Sequence, residues 1–159
     1  VRAITLTQPY ATLIAIGAKH IETRSWATSY RGPLAIHAGK GLSPVGGRAG
    51  LYDLAFSDPD GYFYPALHQT NVFCIDDLPR GAIVATCDLV DCVPTTYVKT
   101  VKVLHYERQK LQWLWTVEEK AFGDYADGRW AWLLANITPL AEPIPARGAL
   151  SLWTWDGAL

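Results

Sequence analysis

One stretch of this chain alternates between two faces for longer than any helical pattern in it lasts. Across residues 82–93, Ile83, Ala85, Cys87 and Leu89 fall on one face, and Val84, Thr86, Asp88 and Val90 on the other. Residues 129–140, continuously apolar from Trp130 to Ala135, form a second strong strand pattern. A period of two places successive side chains on opposite sides of an extended backbone. Both stretches therefore read as long strands, and the fold must be organised around a sheet. Shorter strands are expected at residues 2–7, 34–38 and 151–155, and a strand or extended loop at 19–26. Tyr10, Leu13 and Ile14 follow helical spacing, so a short helix is predicted over 8–16, with Thr7 as its N-cap and Gly17 as its stop. Thr116 is a candidate cap for a second helix running to Phe122. Residues 95–112 are ambiguous, β-branched at first and then helical in pattern, and 49–56 read as another short helix. Many short strands with few helices predict a mixed α+β, barrel-like sheet rather than a parallel α/β fold.

Composition narrows the classes. The chain has 159 residues, half of them hydrophobic, 18% charged, with a net charge of -1. Such a chain buries enough apolar surface to fold as one domain, which excludes disorder. A near-neutral protein does not coat nucleic acid indiscriminately. The longest uncharged apolar run, 10–18, is too short to cross a membrane. No signal-peptide pattern follows Arg2, and the three cysteines contain no Cys-x-x-Cys. Cytoplasmic location with reduced thiols is the expectation. Cys87 and Cys92 fall on opposite faces of one strand, and the four histidines lack ligand spacing, so no metal site is predicted. His37 reads as a core histidine. Gly39-Lys40-Gly41 and Gly46-Gly47 read as flexible loops, since neither fits a phosphate-binding motif. There is no internal repeat and no interdomain linker.

The near-zero total hides a division. Between residues 19 and 48, Lys19, Arg24, Arg31, Lys40 and Arg48 stand against Glu22 alone, a balance of +4. Between 53 and 91, seven Asp stand against Arg80, a balance of -6. The basic stretch also carries Trp26 and Tyr30. Cations for phosphate and aromatic faces for stacking are what a single-stranded nucleic-acid or nucleotide site requires. Ordinary ion pairs along an exposed strand are the alternative for the same charges. Lys19 beside Glu22 also has the makings of an acid–base pair.

These residues also form a recognisable pattern. Gln8-Pro9-Tyr10-Ala11, Gly17-x-Lys19-x-Ile21-Glu22-x-Arg24-Ser25-Trp26, Tyr30-Arg31-Gly32-Pro33-Leu34 and Ile36-His37-Ala38 resemble the ASCH domain, a member of the PUA-like superfold. Gly81-Ala82-Ile83-Val84-Ala85, Phe122-Gly123-Asp124-Tyr125, Gly128-Arg129-Trp130-Ala131-Trp132 and Gly148 with Leu152-Trp153 continue the resemblance along nearly the whole chain. It implies a single PUA-like domain, a small β-barrel with short helices at the rim, with an insertion at about 42–77. It also implies a cleft formed by the Gly-x-Lys-x-x-Glu-x-Arg segment, and binding of RNA or of a modified nucleotide. In that reading Lys19, Arg24 and Arg31 contact phosphate or base edges, and Trp26 or Tyr30 stacks on a base.

Some ASCH proteins resemble hydrolases: an amidohydrolase acting on N4-acetylcytidine, and metal-assisted ribonucleases. Lys19 matches the amidohydrolase lysine, but Glu22 stands where that type has Thr, and Asp88, on the expected central strand, is the nearest match to that type's downstream carboxylate. The hydrolytic reading therefore assigns catalysis to Lys19, Glu22 and Asp88. It needs no cofactor, except a divalent metal for a nuclease. A third reading is a protein-interaction module using the aromatic excursion that holds Phe56, Tyr62, Phe63, Tyr64 and Phe73.

Overall fold

The computed structural model describes residues 1–41, 53, 55, 56, 61–106 and 110–157. The expected helix at 49–56 lies largely outside these. Two compact units are present. The first comprises Val1–Ala18, Pro33–Cys87 and Ile137–Leu159, and the second Lys19–Gly32 and Asp88–Asn136. Eight strands are described: β1 (Arg2–Leu6), β2 (Ile21–Arg24), β3 (Gly32–Ala38), β4 (Ala82–Pro94), β5 (Val103–Tyr106), β6 (Leu111–Leu114), β7 (Trp130–Pro145) and β8 (Leu152–Thr154). Strand order is β2-β7-β4-β3-β1-β8, with β5 and β6 forming a separate hairpin. The two long strand-like stretches are β4 and β7, which pass through both units. This is the mixed α+β class that the patterning predicts.

In the first unit, β1 runs parallel to β3, with Thr5 opposite His37, and antiparallel to β8. Ala3, Ile4, Leu34 and Ile36 are buried between these strands and their cover. Helix α1 spans Tyr10–Ala15, shorter than predicted. Thr7 does not cap it. The buried Gln8 does so instead: its Oε1 accepts from the Thr12 amide at 3.1 Å, while its Nε2 donates to the Pro79 carbonyl at 2.6 Å. A longer side chain from one residue further on thus satisfies an amide that the helix itself leaves unpaired. Gly17, at φ 75°, ends the helix as expected, and the Ala18 amide reaches back to the Leu13 carbonyl. The described part of the aromatic excursion is packed. Helix α2 (Phe63–His68) buries Phe63 and Leu67, and Phe63 meets Tyr10 edge-on at 6.0 Å. Tyr62 and Phe73 stay exposed.

In the second unit, β2 lies antiparallel to β7, pairing Glu22 with Trp132 and Arg24 with Trp130. The ambiguous 95–112 stretch resolves in the opposite order to its patterning: helix α3 (Thr95–Val101) comes first, then β5 and β6. The β-branched run is helical because its start is anchored. The Thr95 hydroxyl donates to the carbonyls of Ala126 and Arg129, and Val98 is buried in the core with Ile21, Leu104 and Trp113. Tertiary packing here overrides weak helix propensity. Lys102, in the left-handed region at φ 58°, ends the helix and leads into β5. Helix α4 (Val117–Ala121) begins as predicted, with the Thr116 hydroxyl accepting from the Glu119 amide at 3.2 Å. Among the described residues no helix is long and apolar enough to cross a membrane.

Candidate functional site

The segment from Lys19 to Arg31 lies wholly in the second unit, and its charges form a chain. Lys19 lies two residues before the start of β2 and is only 1% exposed. Its ammonium donates to the Ile21 carbonyl and stands 3.4 Å from Glu22 Oε2. The other Glu22 oxygen, Oε1, lies 3.6 Å from Arg24 Nη1. Glu22 and Arg24 are two apart on one strand, so they share a face. One carboxylate therefore bridges a buried cation and a partly exposed one.

Arg24 reaches on to the aromatic residue. Its guanidinium carbon sits over the Trp26 ring, 5.9 Å from the centroid, within cation–π range. Trp26 is half-buried, and its ring meets that of Trp132 edge-on at 4.7 Å and 88°. The Trp132 Nε1–H also points to the Trp26 carbonyl at 3.4 Å. Ring and backbone of Trp26 are both held in place by the strand that pairs with β2.

Arg31 is exposed but engaged. It donates to the carbonyls of Thr28 and Tyr30 and to Asp91 Oδ1, the last at 2.6 Å. These bonds brace the turn that carries the half-buried Tyr30. Asp88 forms no ion pair with Lys19 among the described residues. It accepts from Asn136 Nδ2 at 2.8 Å, whereas Glu22 pairs with Trp132, four residues away on β7.

The opposite face of β2 builds a second layer. Thr23 Oγ1 accepts from the Asp124 amide at 2.9 Å, and the Thr23 carbonyl accepts from Arg129. A side chain at Gly123 would stand 2.8 Å from the Tyr125 ring and 3.2 Å from Thr23, so only glycine allows this approach. The turn delivers Tyr125 into the interior, where burial, with the Glu119 and Glu22 charges adding to it, raises its phenol well above the ordinary range. Glu119 is buried too. Its Oε1 accepts from the His20 amide, while Oε2 has no hydrogen-bond partner among the described residues. Sequence reasoning did not single out Glu119 or Tyr125. The Phe122-Gly123-Asp124-Tyr125 motif was the signal for the second. Among the described residues no group of His, Cys, Asp and Glu is placed to hold a metal ion.

A family model, the ASCH domain, matches residues 4–143. The chain belongs to the ASCH domain family. The family is generally linked to RNA binding. Over 91 residues the chain is 34% identical to Activating signal cointegrator 1 of Mus musculus and, over an equal length, 33% identical to that of Homo sapiens. Each match covers 57% of this chain and 14% of the relative, so the chain spans only a small part of those proteins. Among solved structures, a point mutant of ZmASCH from Zymomonas mobilis is similar at 15% identity and a TM-score of 0.46, covering 91% of this chain and 74% of that one. ASCH from Zymomonas mobilis is similar at 17% identity and a TM-score of 0.45, covering 91% and 72%.

Proposed function

We propose that this ASCH domain binds RNA or a modified nucleotide through the Arg24–Trp26 face of the second unit. The observation that carries this reading is a tryptophan fixed edge-on against Trp132 with a guanidinium over its ring. A held aromatic face is a stacking platform, and it loses little conformational freedom when a base arrives. Arg24 supplies charge to a phosphate or base edge beside it. Arg31 and Tyr30 flank the platform from a braced turn. Lys19, buried beneath Glu22, is a positioning residue: it holds the carboxylate that in turn orients Arg24.

Hydrolysis by Lys19, Glu22 and Asp88 has less support, because Asp88 is engaged with Asn136 and forms no ion pair with Lys19 among the described residues. The test is a titration of labelled single-stranded RNA and of free nucleosides against wild type, Trp26→Ala and Arg24→Ala. Trp26→Ala should weaken binding about 5- to 150-fold, the equivalent of ~1–3 kcal/mol for one stacked base. Arg24→Ala should also lower the salt dependence of binding. RNA affinity that neither substitution changes would overturn the proposal.

A further inference from the structure

The first unit contains a cleft that the Trp26 face does not use. It measures about 710 Å³ and is lined by Thr5, His37, Lys40, Gly81 and the strap from Pro145 to Leu150. That volume lies within the range of small-molecule sites. Thr5 and His37 are register partners on β1 and β3, so their side chains stand together. The Thr5 hydroxyl accepts from Trp153 Nε1 at 3.1 Å, and the Trp153 ring meets His37 edge-on at 5.6 Å.

His37 is 1% exposed and only half satisfied. Its Nε2 lies 3.1 Å from the Ala146 carbonyl. A carbonyl only accepts, so Nε2 carries the hydrogen and Nδ1 is left as a bare acceptor. Nδ1 has no partner among the described residues. Burial lowers the tendency of the ring to take a second proton, which keeps Nδ1 an acceptor near neutral pH. The edge of the ring carrying Nδ1 faces Gly148. A Cβ there would stand 2.6 Å from Nδ1 and 2.8 Å from Thr5 Oγ1, so this floor exists only because residue 148 has no side chain.

The mouth is cationic. Lys40 and Arg147 are exposed, and among the described residues neither has an acidic partner. They differ in this from Lys19, Arg24 and Arg31, each of which faces a carboxylate. Gly81, in the left-handed region at φ 66°, lets the Lys40 stem lie against the backbone: a Cβ at 81 would be 2.8 Å from Lys40 Cε. The strap adds apolar surface, including Leu150, which is 93% exposed.

An acceptor at the floor and two cations at the mouth, all three unpaired among the described residues, together with apolar walls define a ligand with three parts. It needs a hydrogen-bond donor, a flat apolar body and an anion. We propose that this cleft binds a nucleoside monophosphate, with its phosphate at Lys40 and Arg147, its base along the strap, and a base amino or ribose hydroxyl group donating to His37 Nδ1. The same chemistry is offered by a free nucleotide and by the 5′-phosphorylated end of a strand. This site is separate from the Trp26 face, and neither depends on the other.

The test is an amide and indole NMR titration of the whole chain with nucleoside monophosphates, unphosphorylated nucleosides, inorganic phosphate, and a trinucleotide with and without a 5′-phosphate. A monophosphate should bind with a dissociation constant of about 1 mM or tighter. Its shifts should gather at Gly39, Lys40, Gly81 and Gly148. Removing the phosphate should weaken binding tenfold or more, as should Lys40→Ala combined with Arg147→Ala. Gly148→Ala should abolish binding by filling the floor. A phosphorylated trinucleotide that binds the same residues identifies a strand end as a source, and one that does not identifies the free nucleotide. Shifts confined to the Trp26 and Trp132 indoles, no shifts at all, or inorganic phosphate binding as tightly as the nucleotides would overturn the proposal.

Discussion

Neutralising Glu22 should cost far more stability than removing Lys19, although the two form one ion pair. At 3.4 Å, two unit charges in a medium of effective dielectric 20 attract by about 5 kcal/mol. Desolvation cancels much of that while both charges are present. Glu22→Gln preserves shape but leaves the Lys19 ammonium in an interior it cannot leave, with the Ile21 carbonyl as its remaining partner. Breaking a buried pair in this way costs about 3–5 kcal/mol. Lys19→Met removes the deeper charge and leaves the buried Glu22 with a second partner, Arg24, still 3.6 Å away. That loss should be smaller, about 1–2 kcal/mol. The double variant should resemble Lys19→Met rather than the sum of the two. Urea unfolding followed by tryptophan fluorescence gives all three values. In heating scans, Glu22→Gln should lower the melting temperature by about 6–20 °C for a chain of this size. Equal losses in the two single variants, or a Glu22→Gln loss below about 1 kcal/mol, would refute the reasoning.

Three further outcomes follow from particular contacts. Burial depresses protonation of His37 in the folded state, so its contribution to stability is full above the ordinary histidine value of about 6.5 and is lost as pH falls below it toward the folded value. Wild type should accordingly lose more of its urea midpoint between about pH 7.5 and 5.5 than His37→Gln does. Gly123→Ala forces a Cβ to within 2.8 Å of the Tyr125 ring and should destabilise by about 1–3 kcal/mol, whereas Gly41→Ala meets nothing within 4 Å and should be near neutral in the same urea assay. Thr116→Ala removes the hydroxyl that caps α4 and should cost about 1 kcal/mol, read from the same melts.

The long strands were legible because alternation marks β4 and a continuous apolar run from Trp130 to Ala135 marks β7, and both stand within a few residues of the expected bounds. The Thr116 cap and the Gly17 stop were legible because each depends on a single residue's own geometry. The order of elements in 95–112 was not, since the anchors that fix Thr95 come from Ala126 and Arg129, some thirty residues further on. Alternation grouped Glu22 with Arg24, yet it could not show that Lys19 is the buried member of that set. A lysine flanked by His20 and Ala18 carries no local sign of depth. The charge balance of +4 also overstated the free charge, because Asp91, far along the chain, neutralises Arg31. The cleft in the first unit stayed invisible for a similar reason. Thr5, His37, Lys40, Gly81 and Gly148 meet only through the pairing of β1 with β3 and the return of the strap after β7.

On the proposed reading, the motif segment works through Trp26 and Arg24 at the surface, with Lys19 and Glu22 supporting them from beneath. It is tested most directly by measuring single-stranded RNA affinity, by anisotropy at fixed salt, for wild type, Trp26→Ala and Lys19→Met under conditions where all three remain folded. The account predicts a loss of about 5- to 150-fold for Trp26→Ala and a smaller loss for Lys19→Met. An unchanged affinity for Trp26→Ala, or a larger loss for Lys19→Met than for Trp26→Ala, would contradict it.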